Sequence, residues 1–246
     1  MKKQAIIIVT PNCPKHDHLP GATKDAEAWK DFLLSPEGGA WNEDEIRILS
    51  DCSKSHVDLV LETHKMKALD YSLLAFSGHG FYKKLPDNST ETRMLLSETD
   101  YLTESTLTVR ARRELVIMDA CRQYGGEVIE EMAKIATFSN AQVVRAEDRF
   151  AKARAMYESA LSLSPEGRTL IFSCSLNQTA ADKASFSRFL ISDAERLARA
   201  AATIRTVSVK EAFDAAESKP LKDNYPQKPT YDGGRRVTHF PFSVSL

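Results

Sequence analysis

Short apolar runs recur along the chain at 5–9, 46–49, 73–76, 115–118 and 170–172, each rich in Ile, Leu, Val or Phe and bounded by polar or turn residues. Runs of this length and composition predict buried strands. Between them the apolar residues fall at helical spacing, with Ala26, Trp29, Phe32 and Leu33 inside 23–34, Val57, Val60 and Leu61 inside 55–69, and a further helical stretch over 186–201. Thr23 and Ser55 stand where helix caps are expected, Thr23 ahead of Asp25 and Glu27 in a first turn that favours acidic groups. Strand and helix alternate, which predicts an α/β fold with a mostly parallel sheet covered on both faces.

Two regions break the alternation. Residues 82–108 are polar with few apolar anchors, and 127–168 read as a linker or insertion that contains a helix-like run at 146–163. Beyond residue 220, Pro220, Pro226, Pro229 and Pro241 with Gly233 and Gly234 have the composition of loop and edge strand. A length of 246 residues predicts a single domain, with a core large enough to need neither disulfide nor structural metal.

Lys and Arg total 33 against 34 Asp and Glu, spread along the chain, which leaves no electrostatic footprint for nucleic acid and no basic face for anionic membranes. The apolar run at 5–9 is too short for a signal peptide, and no stretch approaches the ~20 residues of a membrane span. Cys13, Cys52, Cys121 and Cys174 form no CxxC pair, which argues against zinc ribbons and disulfide scaffolds. A reducing, cytoplasmic setting is expected.

Two predicted strands end in reactive groups, the position where an open parallel sheet collects chemistry. One runs into Ser77-Gly78-His79-Gly80, the other into Asp119-Ala120-Cys121-Arg122. Each residue alone has a plainer reading: a Cys closing an apolar strand as a small buried hydrophobe, a His beside glycine as a turn residue. Together they supply a thiol and the imidazole that takes its proton. The Gly80 and Cys121 amides would form an oxyanion hole, in which one donor is typically worth ~10²–10³ in turnover.

Those two segments resemble the His and Cys motifs of the caspase-like cysteine peptidases, particularly the metacaspase and bacterial branch. Their separation of 121 − 79 = 42 residues is similar to the family's ~50, with Asp119 where animal caspases carry Gln. Weaker likenesses lie at 19–26, 172–180 and 239–242. The resemblance implies a caspase-haemoglobinase-like three-layer sandwich over 1–246, with a large-subunit-like half to 126, a linker or insertion at 127–168, and a small-subunit-like half from 169. It implies a His79–Cys121 cysteine endopeptidase; the alternative is a catalytically silent adaptor. An activating protease or a defence-system effector would be partners, and a monomer is expected.

Residues two apart on a strand project to one side, so the Asp119 carboxylate is expected beside the Cys121 thiol, where a substrate Arg or Lys would pair with it. The resemblance points the same way, to cleavage after Arg or Lys. Two other roles stay open for Asp119: orienting His79, or an ion pair with Arg122. Asp17 is a candidate second pocket carboxylate on loop position alone, and Ser173 and Ser175 are candidate pocket residues by the resemblance. His16 and His18 offer zinc-ligand types in what reads as a polar loop. No cofactor is expected, although the resemblance leaves calcium open at Asp87, Glu91, Glu98 and Asp100, which lack a dense acidic cage. Arg145, Arg149, Lys152, Arg154 and Arg168 are candidate activation-cleavage sites or a solvated face.

Overall fold

The computed structural model describes residues 1–124, 146–180, 185–222 and 227–246. The first half runs β1 (Lys3–Thr10), α1 (Pro20–Leu34), β2 (Ile46–Ser50), α2 (Lys54–Lys65), β3 (Tyr71–Gly78), β4 (Gly80–Lys84), β5 (Thr90–Leu95), β6 (Tyr101–Thr103), β7 (Arg113–Asp119) and β8 (Gln123–Tyr124). The second runs α3 (Ala146–Leu163), β9 (Gly167–Phe172), α4 (Phe186–Ala200), β10 (Arg205–Ser208), α5 (Val209–Lys222), β11 (Thr230–Asp232) and β12 (Pro241–Ser245).

Among the described residues six strands form the central sheet in the order β11-β9-β7-β3-β1-β2. All neighbours pair parallel except β11, which lies antiparallel along β9. Strand alternation explains the layers. Ala5, Ile7 and Val9 of β1 face a core built with Trp29 and Phe32 of α1, Tyr157 of α3, Leu190 of α4 and Phe213 of α5. Ile6 and Ile8 face the opposite core, with Val57 and Leu61 of α2 and with Met94 and Leu102 of β5 and β6. The expected three-layer α/β sandwich is what the chain adopts.

Three expectations need correction. Helix α1 starts at Pro20, whose fixed φ and missing N–H suit a first turn, so Thr23 is no cap and Asp25 faces inward. Ser53, not Ser55, caps α2, accepting from His56 N–H at 3.3 Å. Residues 82–108 contain β4, β5 and β6, which join β8 in a second sheet. The helix-like run at 146–163 is α3, whose Ala153, Tyr157 and Leu161, spaced four apart, are fully buried in the core. Residues 125–145 lie outside the described residues.

Parallel pairing sends the carboxyl ends of β1, β3, β7 and β9 to one edge. The loops that follow Thr10, Gly78, Asp119 and Phe172 therefore meet there.

Candidate active site

Two sheets hold the same register across this edge. Ser77 of β3 pairs with Asp119 of β7 in the central sheet, and Phe81 of β4 pairs with Gln123 of β8 in the small one, both parallel. Each pair is separated by 42 residues, so His79 and Cys121, also 42 apart, stand level between them. Gly80 permits the approach: a Cβ there would lie 2.8 Å from the Ala120 Cβ and 3.0 Å from the Cys121 carbonyl oxygen.

His79 is buried, and its Nε2 lies 2.7 Å from the Asp17 carbonyl oxygen. A carbonyl only accepts, so Nε2 carries the proton and a neutral ring keeps its lone pair on Nδ1. Asp17 thus meets the site through its backbone. Its side chain is exposed. The ring of His16 packs on His79 with centroids 4.9 Å apart.

Cys121 is half-buried, and its sulfur accepts the Ala180 N–H at 3.3 Å. An N–H aimed at sulfur favours the thiolate. The Ala180 segment is held there by Arg122 N–H to the Gln178 carbonyl at 2.9 Å and Asn177 N–H to the Arg122 carbonyl at 2.7 Å. Cys174 lies on the neighbouring strand extension, buried, and is pushed up to about 12 by that burial and then by Cys121. It is a poor nucleophile by comparison.

Asp119 is buried, and its Oδ2 accepts the Ser187 N–H at 2.8 Å, in the first turn of α4. Neither alternative role for it is what the contacts display. The Asp17 carbonyl orients His79, while the Arg122 guanidinium donates to Thr92 Oγ1 at 3.1 Å and the Cys174 carbonyl at 3.3 Å and stacks 3.9 Å from the Phe172 ring. Beside Asp119 lies Asp25, which accepts from Ser77 Oγ at 2.5 Å, Ser185 Oγ at 2.7 Å and Arg188 Nε at 2.9 Å. Burial, then the Asp119 charge, push Asp25 up to about 7 against the pull of Arg188 and the two hydroxyls.

Ser173 follows β9 beside Asp119, its N–H bonded to the Met118 carbonyl at 3.0 Å. Its hydroxyl and that of Ser187 are buried without a hydrogen-bond partner among the described residues. Ser175 turns away, donating to the Lys228 carbonyl at 2.9 Å. Reasoning from sequence missed Asp25, Ser77, Arg188 and Ala180. Asp25 had a signal: it falls on the buried stripe of Ala22, Ala26 and Trp29.

Among the described residues no three His, Cys, Asp or Glu side chains cluster as metal ligands. His18 Nδ1 bonds the Pro11 carbonyl oxygen at 3.1 Å, Asp87 accepts from Ser89, Glu91 pairs with Arg93, and Glu98 pairs with Lys15.

The family model of the caspase domain matches residues 2–234. The chain belongs to the caspase-domain family. The crystal structure of caspase-1 from Spodoptera frugiperda superposes on this caspase domain with a TM-score of 0.57 at 11% identity, covering 99% of this chain and 88% of that one. No curated protein matches the chain. The family is one of cysteine peptidases, and at that identity the insect structure speaks for the shared fold alone. Among the described residues of the caspase domain no helix is long and apolar enough to cross a membrane.

Proposed function

We propose that this caspase domain is a cysteine endopeptidase that cuts proteins after Arg or Lys. The observation that carries the reading is the pair of buried carboxylates, Asp119 and Asp25, beside the nucleophile's strand. Arg188 pairs with Asp25, and Asp119 accepts the Ser187 N–H. Once both carboxylates are ionised Arg188 offsets one charge, and a substrate guanidinium or ammonium would offset the other through charge-assisted hydrogen bonds. The unpartnered hydroxyls of Ser173 and Ser187 support the same occupant.

In this reading Cys121 attacks the scissile carbonyl and its proton passes to His79 Nδ1. The Gly80 and Cys121 amides hold the oxyanion. The C–N bond breaks as His79 returns the proton to the leaving amine, and a thioester on Cys121 remains. Water gives a proton to His79 and adds to the thioester carbonyl; the C–S bond then breaks, the peptide acid leaves, and His79 returns the proton to the Cys121 sulfur. Substrate entry requires the Ala180 backbone to leave the sulfur.

Activation by a cut between the halves belongs to the same proposal. Arg154 is paired with Glu45 and Glu158, and Arg168 with Glu114, within folded elements. Arg149 reaches Glu37, Lys152 lies exposed on α3, and Arg145 lies outside the described residues.

An unbiased peptide-library digest with Cys121→Ala as control tests the reading. Cleavage after Arg or Lys that disappears in the control is expected. Cleavage after Asp with none after Arg would refute the pocket assignment. Labelling of Cys121 by an Arg-based electrophile separates a peptidase from a silent adaptor.

A further inference from the structure

We propose that His16 is a positioning residue that holds the plane of the His79 ring, an inference that rests on the peptidase reading above. A single hydrogen bond from Nε2 to the Asp17 carbonyl fixes one end of that ring and its tautomer but leaves it free to swivel about the bond axis. Swivel carries Nδ1 away from the sulfur. A flat group on one face stops it, and the His16 ring is there, with centroids 4.9 Å apart and planes inclined by 33°. Consecutive residues of one loop thus set both the tautomer and the plane.

The loop has the rigidity this task needs. Asn12 is bound to Asp51 by N–H at 3.0 Å and by side-chain amide at 2.7 Å, and the Leu19 N–H closes on the Pro11 carbonyl at 2.9 Å. Inside that closure the His16 N–H reaches the Cys13 carbonyl at 3.2 Å, a turn completed by Lys15 with φ of 62°. Lys15 also pairs with Glu98, just past the end of β5, and the Leu95 N–H of β5 bonds the His79 carbonyl at 2.9 Å. The loop and the catalytic His are therefore tied to the same strand end. Among the described residues the His16 side chain makes no hydrogen bond, so its one specific partner is the His79 ring.

The charges around His16 suit a stacking role. Burial and His79 lower it from the usual histidine range, against the smaller pull of Asp17 and Glu98. At neutral pH the face presented to His79 is then an uncharged imidazole. It does not repel the imidazolium that forms when His79 takes the Cys121 proton, and an aromatic face attracts such a cation. Misplacing a catalytic group by ~1 Å costs up to ~10² in rate.

His16→Ala and His16→Phe test the inference, with thermal melting of both to show that they fold. In an active enzyme His16→Ala is expected to lower kcat about tenfold with KM within about twofold of the parent, and His16→Phe, which keeps a flat face, to restore kcat to within about threefold. Nitrogen NMR of parent and variant is expected to keep the His79 proton on Nε2, held by the Asp17 carbonyl, while the His79 ring resonances are expected to broaden by exchange in His16→Ala as the ring swivels. Unchanged kcat in His16→Ala, or His16→Phe as slow as His16→Ala, would overturn the role. If the parent cleaves no peptide, the peptidase reading fails, and the NMR decides this one: exchange broadening of the His79 ring in His16→Ala, absent in His16→Phe, sustains it and line widths equal to the parent's end it.

Discussion

Asp25 and Asp119 are bound by one turn of one helix: Ser185 Oγ, at the cap of α4, donates to Asp25 Oδ1 at 2.7 Å, and the Ser187 N–H two residues on donates to Asp119 Oδ2 at 2.8 Å. The positive end of α4 offsets part of the cost of burying two acids side by side. The remainder shows in Asp25, which retains its proton to about 7.

That value makes the pocket's charge depend on pH near neutrality. As pH rises through about 7, Asp25 loses its proton and the pocket gains one negative charge. KM for an Arg peptide is therefore expected to fall between about pH 6 and about pH 8 relative to KM for a peptide with a neutral residue there, and Asp25→Asn is expected to flatten the trend. Stability runs the other way. A carboxyl raised in the folded state above its value of 3.8 contributes most below that value and loses the contribution as pH rises through about 7, so the parent's Tm is expected to decline over the same interval. Steady-state kinetics and melting across that range check both.

Asp119→Asn leaves the Ser187 N–H an acceptor but removes a buried charge. If that charge meets the substrate cation, kcat/KM for an Arg peptide is expected to drop about 10²-fold, in line with the ~2–5 kcal/mol lost when one partner of a desolvated pair is removed. Peptides with an uncharged residue at the same place are expected to change by less than about tenfold. Equal losses on both substrates would assign Asp119 to the scaffold.

The legible part of this site was the part written in strand ends. His79 and Cys121 each close an apolar run, and their 42-residue offset is also the register of the two sheets that flank them. Asp25 was hidden by a false cap. Thr23 reads as a helix start, which assigns Asp25 to a solvated first turn, whereas Pro20 starts the helix a turn earlier and rotates Asp25 onto the face of Ala22 and Trp29. The small sheet escaped notice because β4 and β5 bury few apolar side chains, Met94 and Leu95 among them. The Ala180 contact has no side-chain signature at all. It is a backbone N–H delivered by the pairing of Gln178 with Arg122.

That N–H gives Ala180→Pro a defined outcome. Proline removes the donor that lies 3.3 Å from the Cys121 sulfur, so the thiolate loses a hydrogen bond and the rate of alkylation by iodoacetamide at neutral pH is expected to fall several-fold. The opposite result, faster alkylation, would mean that the Ala180 segment acts chiefly as a cover over the sulfur.

Gly80→Ala tests whether the approach of the two strand ends is itself needed. The added Cβ would meet the Ala120 Cβ at 2.8 Å and, at 3.0 Å each, the carbonyl oxygens of Arg93 and Cys121. Two of these neighbours are backbone and cannot rotate aside, so β4 must move away from the Cys121 loop. Overpacking of this kind costs ~1–3 kcal/mol, seen as a lower Tm. Because the displaced residue adjoins His79, kcat is expected to fall by about 10² or more even at temperatures where the variant is fully folded. A variant with a lowered Tm and unimpaired kcat would show that the His79–Cys121 alignment survives the displacement, and with it that Gly80 serves packing alone.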